Sequence, residues 1–213
     1  MCFGRIMPFF RCILLPPDYL LILPTARFFC FRRTKVTPKA KIMDEVAVGR
    51  AMARISYEIV ERNRGFENIC IFGVKRRGVY LARMLGENIN KFWNTEVPIG
   101  DLDVTRHRDD LTDEDKRSNA GQSYFPCDIK DKTVIIVDDV LYTGRTARAA
   151  KETVFAYGRP RSVQYVVLID RGHRELPIRP DYIGKNVPTS ENEVVKVLFN
   201  ELDGESGVYI CDK

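Results

Sequence analysis

Histidine, paired cysteines and long apolar runs are scarce in this 213-residue chain, and each shortage closes off a class of function. Two histidines, His107 and His173, argue against a histidine-built metal centre, so any metal should be a hard cation held by oxygens. The cysteines at 2, 12, 30, 70, 127 and 211 form no C-x-x-C pair and no spacing suited to zinc. Half of them fall in the first thirty residues, and a reducing cytoplasm is the simplest home for such a chain. Arg11, Asp18 and Arg27 cut the most apolar stretch well below the roughly 20 residues of a membrane span. Prolines at 8, 16, 17 and 24 spoil both the apolar centre of a signal peptide and an amphipathic presequence. Neither G-x-x-x-x-G-K-[ST] nor G-x-G-x-x-G occurs, which removes two common nucleotide loops.

What is present is a globular composition, 45% hydrophobic and 30% charged, enough for one core without a second domain. The net charge of +5 hides an uneven distribution. Residues 1–42 hold eight Lys/Arg against Asp18 alone and carry +7, which leaves −2 for residues 43–213. Nucleic-acid binding would therefore have to come from a local arginine patch. We expect residues 1–42 to be an extension outside the fold, disordered or ahead of the natural start, and residues 43–213 to form the domain.

After Met43, apolar Val48, Met52, Ile55 and Ile59 recur at helical spacing, with Gly65 where a C-terminal cap belongs. "ICIFGV" (69–74) reads as a buried strand and "KRRG" as a turn. Residues 79–93 read as a helix with Val79, Ala82, Leu85, Ile89 and Phe92 inward. "VPIGDLDV" (97–104) reads as a strand and precedes a polar stretch from Thr105 to about Lys132. Strand "TVIIVD", helix "GRTARAAKETVFAY" and strand "SVQYVVLID" (162–170) follow. This alternation predicts an α/β fold, a mainly parallel twisted sheet flanked by helices, with ligands beyond the carboxyl ends of the strands. The 105–132 connection is too long for a passive linker and reads as a lid or binding loop.

Two adjacent carboxylates, Asp138 and Asp139, close the buried strand that begins at Thr133. Desolvating an unpaired carboxylate is costly, so the pair should face something that binds it. Thr143, Gly144, Arg145 and Thr146 follow where strand becomes helix. Amides of a helix N-terminus, two hydroxyls and a glycine that permits close approach form a cradle for phosphate. Acids and cradle together suit a sugar phosphate. The plainer alternative is a threonine-capped helix with a dipole contact from the acids.

"VIIVDDVLYTGRT" (134–146) resembles the phosphoribosyl-pyrophosphate (PRPP) signature of the type I phosphoribosyltransferases. The resemblance implies that family's fold, with a mobile loop over the site. It implies PRPP binding by Val134, Ile135, Ile136, Val137, Asp138, Asp139, Val140, Leu141, Tyr142, Thr143, Gly144, Arg145 and Thr146. The acids would hold the ribose hydroxyls and Leu141 to Thr146 the 5′-phosphate, with Asp138, Asp139 and Arg108 catalytic. "GVKRRG" (73–78) resembles the pyrophosphate loop and "RHRDDL" (106–111) the mobile catalytic loop, so Lys75, Arg76, Arg77 and Arg108 would meet the leaving pyrophosphate. Mg2+ is the implied cofactor, held mainly by PRPP, and no protein ligand for it identifies itself.

"ERNRG" and "DRGHRELPIRPDYIGKNVPTS" (170–190) narrow the likeness. With the acid strand they are similar to the PyrR family, uracil phosphoribosyltransferases that also attenuate the pyr operon, over essentially all of 43–213. That likeness implies a uracil pocket around Ile169, Asp170 and Arg171, with UMP and UTP as ligands. It implies pyr mRNA leader contacts at Arg54, Arg62, Arg64, Arg171 and Arg174, a homodimer or higher homo-oligomer, a cytoplasmic location, and no DNA or membrane partner. Two departures stand out. "ARISY" puts Ala53 and Tyr57 where the family's helix commonly has Thr and His, and His107 replaces the tyrosine usual before Arg-Asp-Asp. A phosphoribosyltransferase for another base, or an RNA-binding nucleotide sensor with little catalysis, are the alternatives.

Overall fold

The strand–helix alternation closes into a five-stranded parallel sheet with helices on both faces. A computed structural model describes residues 38–109, 112, 114, 117 and 121–213. Residues 1–37, and Asp110 and Leu111 of the expected catalytic loop, lie outside the described residues. The order is β1 Pro38–Met43, α1 Glu45–Asn63, β2 Ile69–Val74, α2 Arg77–Trp93, β3 Ile99–Leu102, a 3-10 turn Thr105–His107, β4 Thr133–Leu141 and α3 Arg145–Tyr157. Then come β5 Ser162–Asp170, β6 Tyr182–Asn186, β7 Glu193–Leu198, α4 Asn200–Asp203 and β8 Gly207–Asp212. The parallel sheet runs β3-β2-β4-β5-β6, and a separate antiparallel sheet runs β1-β8-β7.

Side-chain alternation explains why both faces of the parallel sheet are covered. Ile71, Ile135, Val137, Val166 and Leu168 pack with Met52, Ile55 and Ile59 of α1 and Leu81, Leu85 and Ile89 of α2. Their neighbours Phe72, Val134, Ile136 and Val167 pack on the other face with Ala147, Ala150 and Val154 of α3. β4 is central, paired with β2 on one side and β5 on the other. Its carboxyl end is therefore walled by loops from both neighbours.

Several expectations need correction. Residues 38–42, expected outside the domain, form most of β1, which pairs antiparallel with β8. Helix α1 starts on Asp44, whose carboxylate accepts from Ala47 N at 2.7 Å. It ends on Arg64, not Gly65: Arg64 takes the left-handed cap conformation at φ 56°, and its amide bonds back to the Glu61 carbonyl. Phe92 does not face the core. It is exposed and stacks on Tyr57 with ring centroids 4.7 Å apart. Cys70 and Cys127 are free thiols with sulfurs 2.9 Å apart, and burial, then Cys127, pushes Cys70 up to about 12.

Candidate active site

Asp138 and Asp139 lie at the carboxyl end of β4, where successive side chains turn to opposite faces. Asp138 shares the α3 face with Ile136 and is only 5% exposed. The Tyr165 hydroxyl donates to its Oδ2 at 2.8 Å and the Asp139 amide to its Oδ1 at 2.9 Å. The register explains the first bond: Tyr165 of β5 pairs with Ile136, so its ring lies on the face to which Asp138 returns two residues later. Burial, and secondly the charge of Asp139, pushes the Asp138 carboxyl up to about 8. Burial, then the Asp138 charge, holds the Tyr165 phenol well above its ordinary range, so that hydroxyl stays a donor. Asp139 is only half-buried and is the more accessible of the pair.

The chain then crosses to α3 through Tyr142–Gly144. Gly144 has φ 92°, a left-handed conformation that favours glycine, and a Cβ there would also come 3.4 Å from Leu176 Cβ. The first helical bond runs from Arg148 N to Gly144 O at 3.0 Å, so the amides before it have no carbonyl of the helix to bond. They border a cavity of about 330 Å³ lined by residues 140–147, Tyr165 and Arg108. Residues 143–146 and Arg108 thus border one cavity.

Other expected residues are placed differently. Val134, Ile135, Ile136 and Val137 are buried core, so the strand supports the cradle and its own side chains do not reach the cavity. Neither aspartate lines that cavity. The Arg145 guanidinium is already bonded to Glu175 and Asp109. Lys75 donates to the Gln122 carbonyl at 2.7 Å and Arg77 to the Asp203 carboxylate at 3.1 Å, while Arg76 is exposed. The Lys75–Arg76 peptide is cis. What fixes this turn against the acids is Gly78, where a Cβ would sit 2.4 Å from the Val137 carbonyl oxygen. Gly78→Ala should destabilise the fold by about 1–3 kcal/mol in denaturant unfolding.

At the expected base pocket, Ile169 is fully buried in the core. Arg174 pairs with the Asp170 carboxylate, which also accepts from Gly172 N at 3.1 Å. Arg171, expected at both the base pocket and the RNA surface, is 4% exposed. Its guanidinium lies 4.1 Å from the centre of the Tyr142 ring and donates to Thr189 Oγ1 and the Ser190 carbonyl. It is therefore an internal tie and no surface contact. Arg54 donates to the Ile183 and Gly184 carbonyls at 3.0 and 2.9 Å, and Arg62 pairs with Asp181 at 2.9 Å. Arg64 is exposed at the α1 cap. Arg54 and Arg62 of α1 thus lie along β6, Arg62 at its amino end, whereas Arg171 and Arg174 follow the carboxyl end of β5.

Among the described residues no three His, Cys, Asp or Glu side chains gather as a metal cage, and no helix is long and apolar enough to cross a membrane. The donors present suit a hard cation brought mainly by ligand oxygens, with Asp139 the accessible carboxylate beside the cradle. Tyr165, Asp109 and Glu175 were not legible as site residues, since each acts through a partner 27 to 36 residues away.

Comparison with known proteins places the chain in a family. Residues 40–200 match the model of the phosphoribosyl transferase domain. The chain is 51% identical over 172 residues to "Bifunctional protein PyrR" of Clostridioides difficile, covering 81% of this chain and 97% of that one. This chain belongs to the PyrR family. A second member, from Acetivibrio thermocellus, is 54% identical over 176 residues, 82% of this chain and 95% of that one. The hypoxanthine phosphoribosyltransferase of Trypanosoma cruzi superposes with a TM-score of 0.62 at 17% identity, over 82% of this chain and 91% of that one. A hypoxanthine-guanine phosphoribosyltransferase of Bacillus anthracis gives 0.59 at 18%, over 83% and 98%. These two likenesses establish that a PyrR-family chain has the type I phosphoribosyltransferase fold.

Proposed function

We propose that this chain joins uracil N1 to C1′ of PRPP, releasing pyrophosphate and forming UMP, and that it binds pyr leader RNA under control of uridine nucleotides. The observation that carries the reading is the acid-ended central strand running into a phosphate cradle, in a chain half-identical to PyrR proteins along nearly their whole length.

In this reaction the C1′–oxygen bond to pyrophosphate breaks as the N1–C1′ bond forms with inversion, and the N1 proton of uracil passes to solvent water. Positive charge grows on the ribose, so positioning and electrostatics carry the catalysis. The amides opening α3 hold the 5′-phosphate. Asp139 accepts from a ribose hydroxyl, and Asp138, oriented by Tyr165, supports it from the buried side. Arg108 and the 75–77 turn meet the pyrophosphate. Mg2+, when bound, neutralises charge on the pyrophosphate oxygens. Release of pyrophosphate from PRPP should begin only on adding uracil. Release that ignores uracil sinks the reading.

For RNA, the exposed arginines of α1 are the surface this reading uses, with Tyr57 available to stack on a base in place of an imidazole. Arg62→Ala should weaken leader RNA binding about tenfold in a gel shift and reduce its salt dependence, with UMP strengthening the wild-type shift. No shift at low salt would remove the regulatory half. A cytoplasmic homodimer or higher oligomer goes with this reading.

A further inference from the structure

Arg145 stands in the phosphate turn, yet two carboxylates hold its guanidinium. Its Nε and Nη2 donate to Glu175 Oε2 at 2.9 and 2.7 Å, and Nη1 donates to Asp109 Oδ2 at 2.7 Å. Asp109 also lies 3.3 Å from Arg148 Nη2, which donates to the His107 carbonyl. On the far side, Glu175 N and Leu176 N both donate to the Thr143 carbonyl, at 3.0 and 3.1 Å. The bridge thus fastens three segments together: the 105–109 loop, the phosphate turn, and the stretch after β5.

Stability does not account for it. The three side chains of the bridge are 37%, 40% and 51% exposed, and ion pairs so open to solvent add little to folding. Geometry does. Arg108 has an extended backbone, φ −74° and ψ 135°, so its side chain and that of Asp109 leave opposite sides of the chain. With Asp109 drawn onto Arg145 and Arg148, Arg108 is left bordering the phosphate cavity.

We propose that Asp109 is a positioning residue: its bridge through Arg145 to Glu175 holds Arg108 over the phosphate cavity, where it meets the pyrophosphate of PRPP. This rests on the PRPP reading of the site and adds to it a residue that touches no substrate. Tighter PRPP binding on removing Asp109 would instead mean that it withholds Arg145 and Arg148 from the phosphates. Measurement separates the two.

The test is titration calorimetry of PRPP with Mg2+ on the full chain, alongside steady-state kinetics, for wild type, Asp109→Asn, Asp109→Glu and Glu175→Gln. Asp109→Asn should weaken PRPP binding about tenfold, with the KM for uracil changed less than about twofold. Asp109→Glu keeps the charge and should recover most of the loss. Glu175→Gln, which leaves half the bridge, should fall between. A wild-type PRPP affinity in Asp109→Asn, a tighter one, or no recovery in Asp109→Glu overturns the proposal. Wild-type protein that binds PRPP but makes no UMP refutes the transferase reading alone, because the binding comparison still decides the bridge. Wild-type protein that binds no PRPP refutes both.

Discussion

Asp139→Asn and Asp138→Asn should each lower kcat/KM for PRPP by about 10²–10³-fold while leaving leader RNA binding within about twofold. The two losses should differ in kind. Asp139 is the accessible acid, so its neutral isostere removes a charged acceptor from the ribose directly and should raise the KM for PRPP as well as lowering kcat. Asp138 is nearly sealed from solvent, with one oxygen on Tyr165 and the other on the Asp139 amide. Its replacement acts through the orientation of Asp139, because an amide nitrogen cannot accept the bond that a carboxyl oxygen accepted, and kcat should carry most of the change. Tyr165→Phe, which removes the donor to Asp138, should reproduce a milder form of the same pattern. Joint loss of UMP formation and RNA binding in a folded variant would contradict separate surfaces.

Asp138→Asn should also make the protein more stable at alkaline pH. The folded pKa of about 8 lies above an unfolded value near 4, so between those limits the folded state holds a proton that the unfolded state has lost. Stability therefore falls as pH rises from about 4 to about 8 and levels off above, the reverse of the usual behaviour of a paired carboxylate. An asparagine cannot ionise, so the variant should lose this slope, and its melting temperature should gain on wild type as pH rises from about 5 to about 8. Asp139→Asn leaves burial, the larger cause, in place and removes the second, so it should move the step to lower pH without abolishing it. Thermal unfolding from pH 5 to pH 9 checks both. Parallel profiles for wild type and Asp138→Asn would mean that Asp138 is ionised throughout. A destabilised acid at the heart of a site is the form a stability–activity trade-off takes here.

What could be read from the sequence follows from how local its cause is. β2 and β5 were legible to the residue because buried parallel strands are unbroken apolar runs bounded by turns. The turn that opens α3 beside the cavity was legible because Thr143, Gly144 and Thr146 fall within one turn. β1 was not. "PKAKIM" has the proline and lysines of an edge strand and no alternation, and its partner lies about 170 residues along the chain. Phe92 misled because helical spacing alone placed it inward, whereas Tyr57 on α1 gives it an outer surface to stack on. Reading 134–146 as a list of contacts also failed for its first four residues, which are fully buried and build the sheet. The arginines show the same limit: Arg171, Arg174 and Arg54 look alike in sequence, and only their carbonyl and carboxylate partners tell a structural tie from a free surface charge.

The central claim concerns which base the ribose receives. The purified full chain, given PRPP and Mg2+ with uracil, orotate and hypoxanthine together, should consume uracil alone and accumulate UMP and pyrophosphate in equal amounts. Consumption of hypoxanthine or orotate with uracil untouched would contradict the account.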